Sequence, residues 1–163
     1  MNAQVWIAIL VGLAATIDDL KRRQIANWIP MVALIGGFAW QISHAGWLWG
    51  AVNALAGGAA GFGVFLVFYL LGGMGGGDVK LMAGFGALLG ARRLLEASLW
   101  TAGVGGVIAI LVLAGRPLCR WVMARWAAMR GMPARAEVVG ASNSIPYAPA
   151  ITLGVWLSLV PKG

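Results

Sequence analysis

Between Arg23 and Asp78 the chain has no Lys, Arg, Asp or Glu, and it has none again between Glu96 and Arg116. Uncharged stretches of that length cannot be wrapped into a water-soluble domain of this size. A chain of 163 residues leaves much of its surface outside, and soluble domains cover that surface with about 25% charged residues. Here 10% are charged, 61% are hydrophobic, and the mean hydropathy is +0.85. Lipid is the expected solvent, and an all-α membrane bundle the expected fold class, because helices satisfy their own backbone polar groups in hydrocarbon.

A hydrocarbon core about 30 Å thick asks for about 20 apolar residues per helical span. The sequence divides into six segments near that length: Ala3 to Ile17, Trp28 to His44, Trp47 to Leu71, Val79 to Ala91, Leu94 to Gly115 and Ser144 to Val160. The fourth is short and reads as a half-span or a helix completed by its flanks. The first lacks a basic leader and a small-residue cleavage site, so it reads as a retained span. Glycines at small-residue spacing, among them Gly57, Gly61, Gly84, Gly86, Gly90 and Gly103, predict close helix packing.

Twelve Lys and Arg stand against five Asp and Glu, a net charge of +7. Nine of the twelve (Lys21, Arg22, Arg23, Lys80, Arg116, Arg120, Arg125, Arg130 and Arg135) fall at one side of a six-span frame, and Arg92, Arg93 and Lys162 at the other. The positive-inside rule then puts the N-terminus outside and the richly basic loops in the cytoplasm. Arg116 to Asn143 mixes Trp121, Trp126 and Met129 with arginines four or five residues apart, which suits an interfacial helix as well as an ordinary basic loop. A basic balance of this kind serves anionic headgroups; nucleic acid is not an expected partner.

Three of the five acidic residues, Asp18, Asp19 and Asp78, sit where apolar spans meet the cytoplasmic side. Ionisable groups are costly at a membrane and are kept there mostly for function. Glu96 and Glu137 lie among arginines and read as ion-pair members. Asp78 ends the run Gly72, Gly73, Met74, Gly75, Gly76, Gly77, along whose bare backbone an extended peptide could lie. The same residues also fit a glycine turn closed by a helix N-cap aspartate.

Two carboxyl groups brought together can hydrolyse a peptide bond without metal or cofactor: one takes a proton from water while the other gives one to the scissile carbonyl. In a poorly solvated site such a pair shares a proton. Competing chemistries lack their parts. His44, the single histidine, is expected at the outer end of the second span, and Cys119, the single cysteine, can form neither an internal disulfide nor a paired-cysteine zinc site.

Three stretches together resemble the type IV prepilin peptidases, particularly the short form associated with Flp-type pili, and more distantly the archaeal preflagellin peptidases. Asp19-Leu20-Lys21-Arg22-Arg23-Gln24-Ile25-Ala26-Asn27 is similar to the family's first motif, an aspartate, a basic loop and Ile-Pro-Asn. Gly75-Gly76-Gly77-Asp78-Val79-Lys80-Leu81 matches its Gly-x-Gly-Asp motif, and Ile145-Pro146-Tyr147-Ala148-Pro149-Ala150 resembles the segment that opens its last span.

The resemblance implies a single membrane-embedded peptidase domain over residues 1–163, without the methyltransferase lobe of longer relatives. It implies Asp19 and Asp78 as the catalytic pair, with Gly75, Gly77, Lys80, Asn27 and Pro146 in support. The substrate would be the N-terminal leader of a prepilin or pseudopilin, cut at the cytoplasmic face of the bacterial inner membrane. Ala26 stands where the family usually has proline, so a looser loop is expected. Asp18 and Asp19 point about 100° apart on a helix; motif spacing selects Asp19, with Asp18 in reserve. Lys80 could bias the pair or hold substrate, or simply reach the headgroups. A different class of protein, a non-catalytic transporter or assembly subunit whose aspartates bind protons or cations, shares the same inventory but is expected to carry its charges near mid-bilayer.

Overall fold

The computed structural model describes residues 2–129 and 147–160. They form five helices: α1 (Ala3–Arg22), α2 (Trp28–Ala45), α3 (Trp47–Leu70), α4 (Gly76–Met129) and α5 (Ala148–Leu159). No strand occurs among the described residues. Three helical stretches, Ala3–Arg22, Trp47–Leu70 and Gly76–Val112, are long and apolar enough to cross a membrane. Trp47, Leu71 and Leu99 leave 78%, 77% and 75% of their surface uncovered, an outer face suited to acyl chains.

Six spans are expected and five helical elements are found, the difference lying at one kink. The fourth and fifth expected spans are one element, α4, broken at Gly90 (φ 76°, ψ 165°), a conformation essentially reserved for glycine. Its first arm, ending at Leu89, is the centre of the molecule: Leu81, Met82, Phe85 and Leu88 are fully buried. Its second arm meets α5, with Thr101 against Gly154 and Gly105 beside Ala150. The helix expected in the basic stretch from Arg116 is continuous with α4 as far as Met129; residues 130–143 of that stretch lie outside the described residues. The helix that opens at Trp28 ends at Ala45, and His44 near its end stacks on Trp40 with ring centroids 3.6 Å apart.

The break costs the chain helical hydrogen bonds, and amide side chains from three other helices supply replacements. Gln4 Nε2 of α1 and Gln41 Nε2 of α2 donate to the Leu88 carbonyl at 2.8 and 3.4 Å, while Ala91 N donates to Asn53 Oδ1 of α3 at 3.4 Å. Asn53 Nδ2 also donates to Gln41 Oε1 at 3.2 Å, closing the cluster. Buried polar groups are tolerated when each finds a partner, and such a cluster fixes one register among helices. Gly90→Ala would strain the backbone and drive a Cβ to 2.6 Å from Asn53 Nδ2. We expect it to cost about 2 kcal/mol, in line with a forced backbone outlier, read as a lower midpoint of thermal unfolding in detergent.

Candidate active site

α1 runs one turn beyond its apolar stretch, carrying Asp18 and Asp19 on its last turns. It stops at Arg23, whose left-handed backbone (φ 53°) lets its N–H reach the Asp19 carbonyl at 2.8 Å. The chain then crosses Gln24, Ile25, Ala26 and Asn27 and enters α2. At the same end of the bundle the glycine run closes into the start of α4, where Asp78 is the third helical residue.

Asp78 and Gly75 bond to each other twice: Asp78 N donates to the Gly75 carbonyl, and Gly75 N donates to Asp78 Oδ2, both at 3.1 Å. That is the carboxylate half of a capping box, a side chain three residues into the helix reaching back to the cap. Asp78 is thus not the N-cap residue itself. Capping accounts for Oδ2 only; Oδ1 is buried and has no hydrogen-bond partner among the described residues. A buried polar atom in that state calls for a reason, and a site for water or substrate is one.

Asp19 is buried to a similar degree, 8% exposed against 7% for Asp78. Its Oδ2 accepts the backbone N–H of Ala148 at 3.2 Å. Ala148 opens α5, followed by a proline in the first turn, and the first N–H groups of a helix have no partner within it. The last helix is thereby tied to the end of the first.

Asp19 and Asp78 line one open cleft of about 320 Å³, together with Arg23, Gln24, Ile25, Asn27, the Gly75–Gly77 backbone and Lys80. Of the residues expected to matter, Asp19, Asn27, Gly75, Gly77, Asp78 and Lys80 therefore share it, and Pro146 lies outside the described residues. Lys80 Nζ donates to Asn27 Oδ1 at 2.9 Å, joining the first motif to the second across the mouth of the cleft. Ile25 packs over Gly77, where an added Cβ would come within 3.1 Å of the Ile25 Cβ. A larger cavity of about 740 Å³ lies at the opposite end of α1, around Gln4, Arg93, Glu96 and Trp156; among the described residues that line it, Glu96 carries the one carboxyl group.

Asp18 differs from Asp19 in its partners as well as in its direction. Its Oδ2 accepts the Ala26 N–H at 2.8 Å and its Oδ1 lies 3.4 Å from Arg22 Nε; it does not line the cleft. The loop expected to be loose at Ala26 is consequently fastened, by a bond that a proline, having no N–H, could not make. Sequence reasoning missed this bond and the Ala148 N–H at Asp19. The proline at position 149 hinted at a helix start, but nothing local to it named the carboxylate that the start would meet.

What the fold and cleft define is a helical membrane protein with two buried carboxyl groups from different helices converging at one end of the bundle. The sequence profile of the type IV leader peptidase family matches residues 6–110, and the chain belongs to that family. Comparison with curated proteins and with solved structures gives no match. The match covers Asp19 and Asp78 and stops short of Ala148, so one partner of Asp19 comes from outside the matched stretch.

Proposed function

We propose that this chain is an aspartic endopeptidase that removes the N-terminal leader of type IV prepilins or pseudopilins of the Flp-like kind at the cytoplasmic face of the bacterial inner membrane. The observation that carries this reading is the convergence of Asp19 and Asp78 on one cleft beside a glycine backbone. The precursor's apolar segment would lie against the bundle, its leader junction extended along Gly75–Gly77. A water between the two carboxyl groups would lose a proton to one as the other protonates the scissile carbonyl oxygen. The domain acts as one membrane-embedded unit and needs no metal or cofactor for this chemistry.

The test is leader removal from a purified Flp-type precursor by membranes carrying this protein, followed as a mass shift of the precursor. Cleavage at a single junction near the start of the apolar segment supports the proposal. No cleavage of any such precursor, with proton- or cation-dependent uptake into vesicles instead, would move the transporter reading ahead.

Lys80 is expected to contribute modestly. It is exposed and holds Asn27 by one hydrogen bond. Lys80→Met should lower kcat/KM by about threefold, the size of one exposed hydrogen bond, while Lys80→Gln, still able to donate to Asn27 Oδ1, should stay close to wild type. A loss near that of the aspartates would give Lys80 a direct part in the reaction.

A further inference from the structure

We infer that Asp18 is a positioning residue, whose carboxylate latches the loop between α1 and α2 so that this loop forms one wall of the cleft. The inference rests on the proposed leader cleavage and adds a device to it. Four of the five loop residues, Arg23, Gln24, Ile25 and Asn27, line the cleft; the fifth, Ala26, turns its N–H to Asp18 Oδ2 at 2.8 Å. Other attachments of the loop include Arg23 N to the Asp19 carbonyl, Ile29 N to the Ala26 carbonyl, Ile25 against Gly77, and Asn27 to Lys80. The last two of these run to α4, the helix that carries Asp78.

The latch is placed to matter. Asp18 is on the same turn of α1 as Asp19, so the loop is fixed to the element that sets Asp19. Ion pairing with Arg22, one turn on, orients the carboxylate for Ala26. With the latch closed, Ile25 stands over Gly77 and Asn27 over Lys80, and the cleft keeps the width set by those contacts. With it open, Ala26 N has an unmet donor, the middle of the loop loses its tie to α1, and peptide would meet a displaced wall. Asp18 therefore needs to be a hydrogen-bond acceptor, not an acid, which separates its role from that of Asp19.

Asp18→Ala and Asp18→Asn, compared with wild type and with Asp19→Asn, test this by two readouts. Amide hydrogen exchange in lipid nanodiscs reads the latch itself: Asp18→Ala should speed exchange at Ala26 by about tenfold, the loss of one charge-assisted bond, and Asp18→Asn should keep most of the protection because its amide oxygen accepts the same N–H. Leader cleavage reads its use: Asp18→Ala should raise KM by about tenfold with kcat changed less, and Asp18→Asn should restore KM to within about threefold of wild type by the same bond. Unchanged exchange at Ala26 in Asp18→Ala overturns the latch whatever the activity. Changed exchange with wild-type kinetics overturns the positioning role and leaves the proposed peptidase standing. An Asp18→Asn enzyme as inactive as Asp19→Asn would make Asp18 an acid in the reaction and also overturn the proposal. If wild type cleaves no precursor, the peptidase reading fails together with the catalytic use of the latch, and hydrogen exchange alone decides whether the latch exists.

Discussion

Asp78→Asn should abolish leader cleavage while leaving the fold in place. The amide is nearly the shape of the acid, and its oxygen can still accept the Gly75 N–H that Asp78 Oδ2 now takes at 3.1 Å. The start of α4 should therefore survive, with the thermal midpoint moved by only a few degrees, as for a buried hydrogen bond that is weakened and not lost. What an amide cannot do is carry a proton between water and the scissile carbonyl. Removal of a general acid or base lowers kcat by about 10²- to 10⁴-fold, and we expect the upper part of that range because the proposed mechanism uses both carboxyl groups in one step. Asp19→Asn should behave alike, since its oxygen can still meet Ala148 N. Asp78→Ala would lose cap and proton carrier together, so it cannot separate the two roles; the Asn variants can. Wild-type turnover in both Asn variants would reduce the aspartates to helix caps.

How far the sequence carries a reader depends on whether the cause is local. The acidic residues at the ends of apolar runs are visible because charge at a membrane is costly wherever it occurs, and Asp19 and Asp78 do meet in one cleft. The ends of α2 and α3 are legible for the same reason, as runs bounded by polar or glycine residues. The exact place of the break in α4 is not. Arg92 and Arg93 read as a loop between two spans, yet the backbone departs from helix only at Gly90. Whether such a break is stable depends on Gln4, Gln41 and Asn53, from three different helices, meeting at Leu88 and Ala91. Each alone looks like an ordinary polar residue near a span's end. The loop at Ala26 is the same lesson in small: without its acceptor it reads as loose, and the acceptor is a side chain on the preceding helix.

Gly57→Leu and Gly86→Leu should each prevent the bundle from assembling. α3 and α4 approach closely at this pair, where a Cβ on either glycine would overlap the other's carbonyl oxygen. Neither obstacle is the tip of a flexible side chain, so one helix must move. Without a hydrophobic drive between helices in lipid, that contact is itself a large part of what holds them together. Alanine at either position should cost about 1–3 kcal/mol, as overpacking does elsewhere, and leucine more than the pair can absorb, giving aggregated protein after detergent extraction. Gly63 and Gly103 supply the control: a Cβ on either would meet nothing within 4 Å, so their alanine variants should be as stable as wild type or slightly more so, by up to about 1 kcal/mol of helix propensity. Cleavage adds a second readout, because Gly86 and Asp78 share the first arm of α4. A Gly86→Ala protein that folds should show a displaced Asp78 as lowered kcat, whereas Gly63→Ala should not. If Gly57→Leu and Gly63→Leu prove equally stable, the approach of α3 to α4 is not what sets the position of Asp78, and the cleft must be held by α1, α2 and α5 alone.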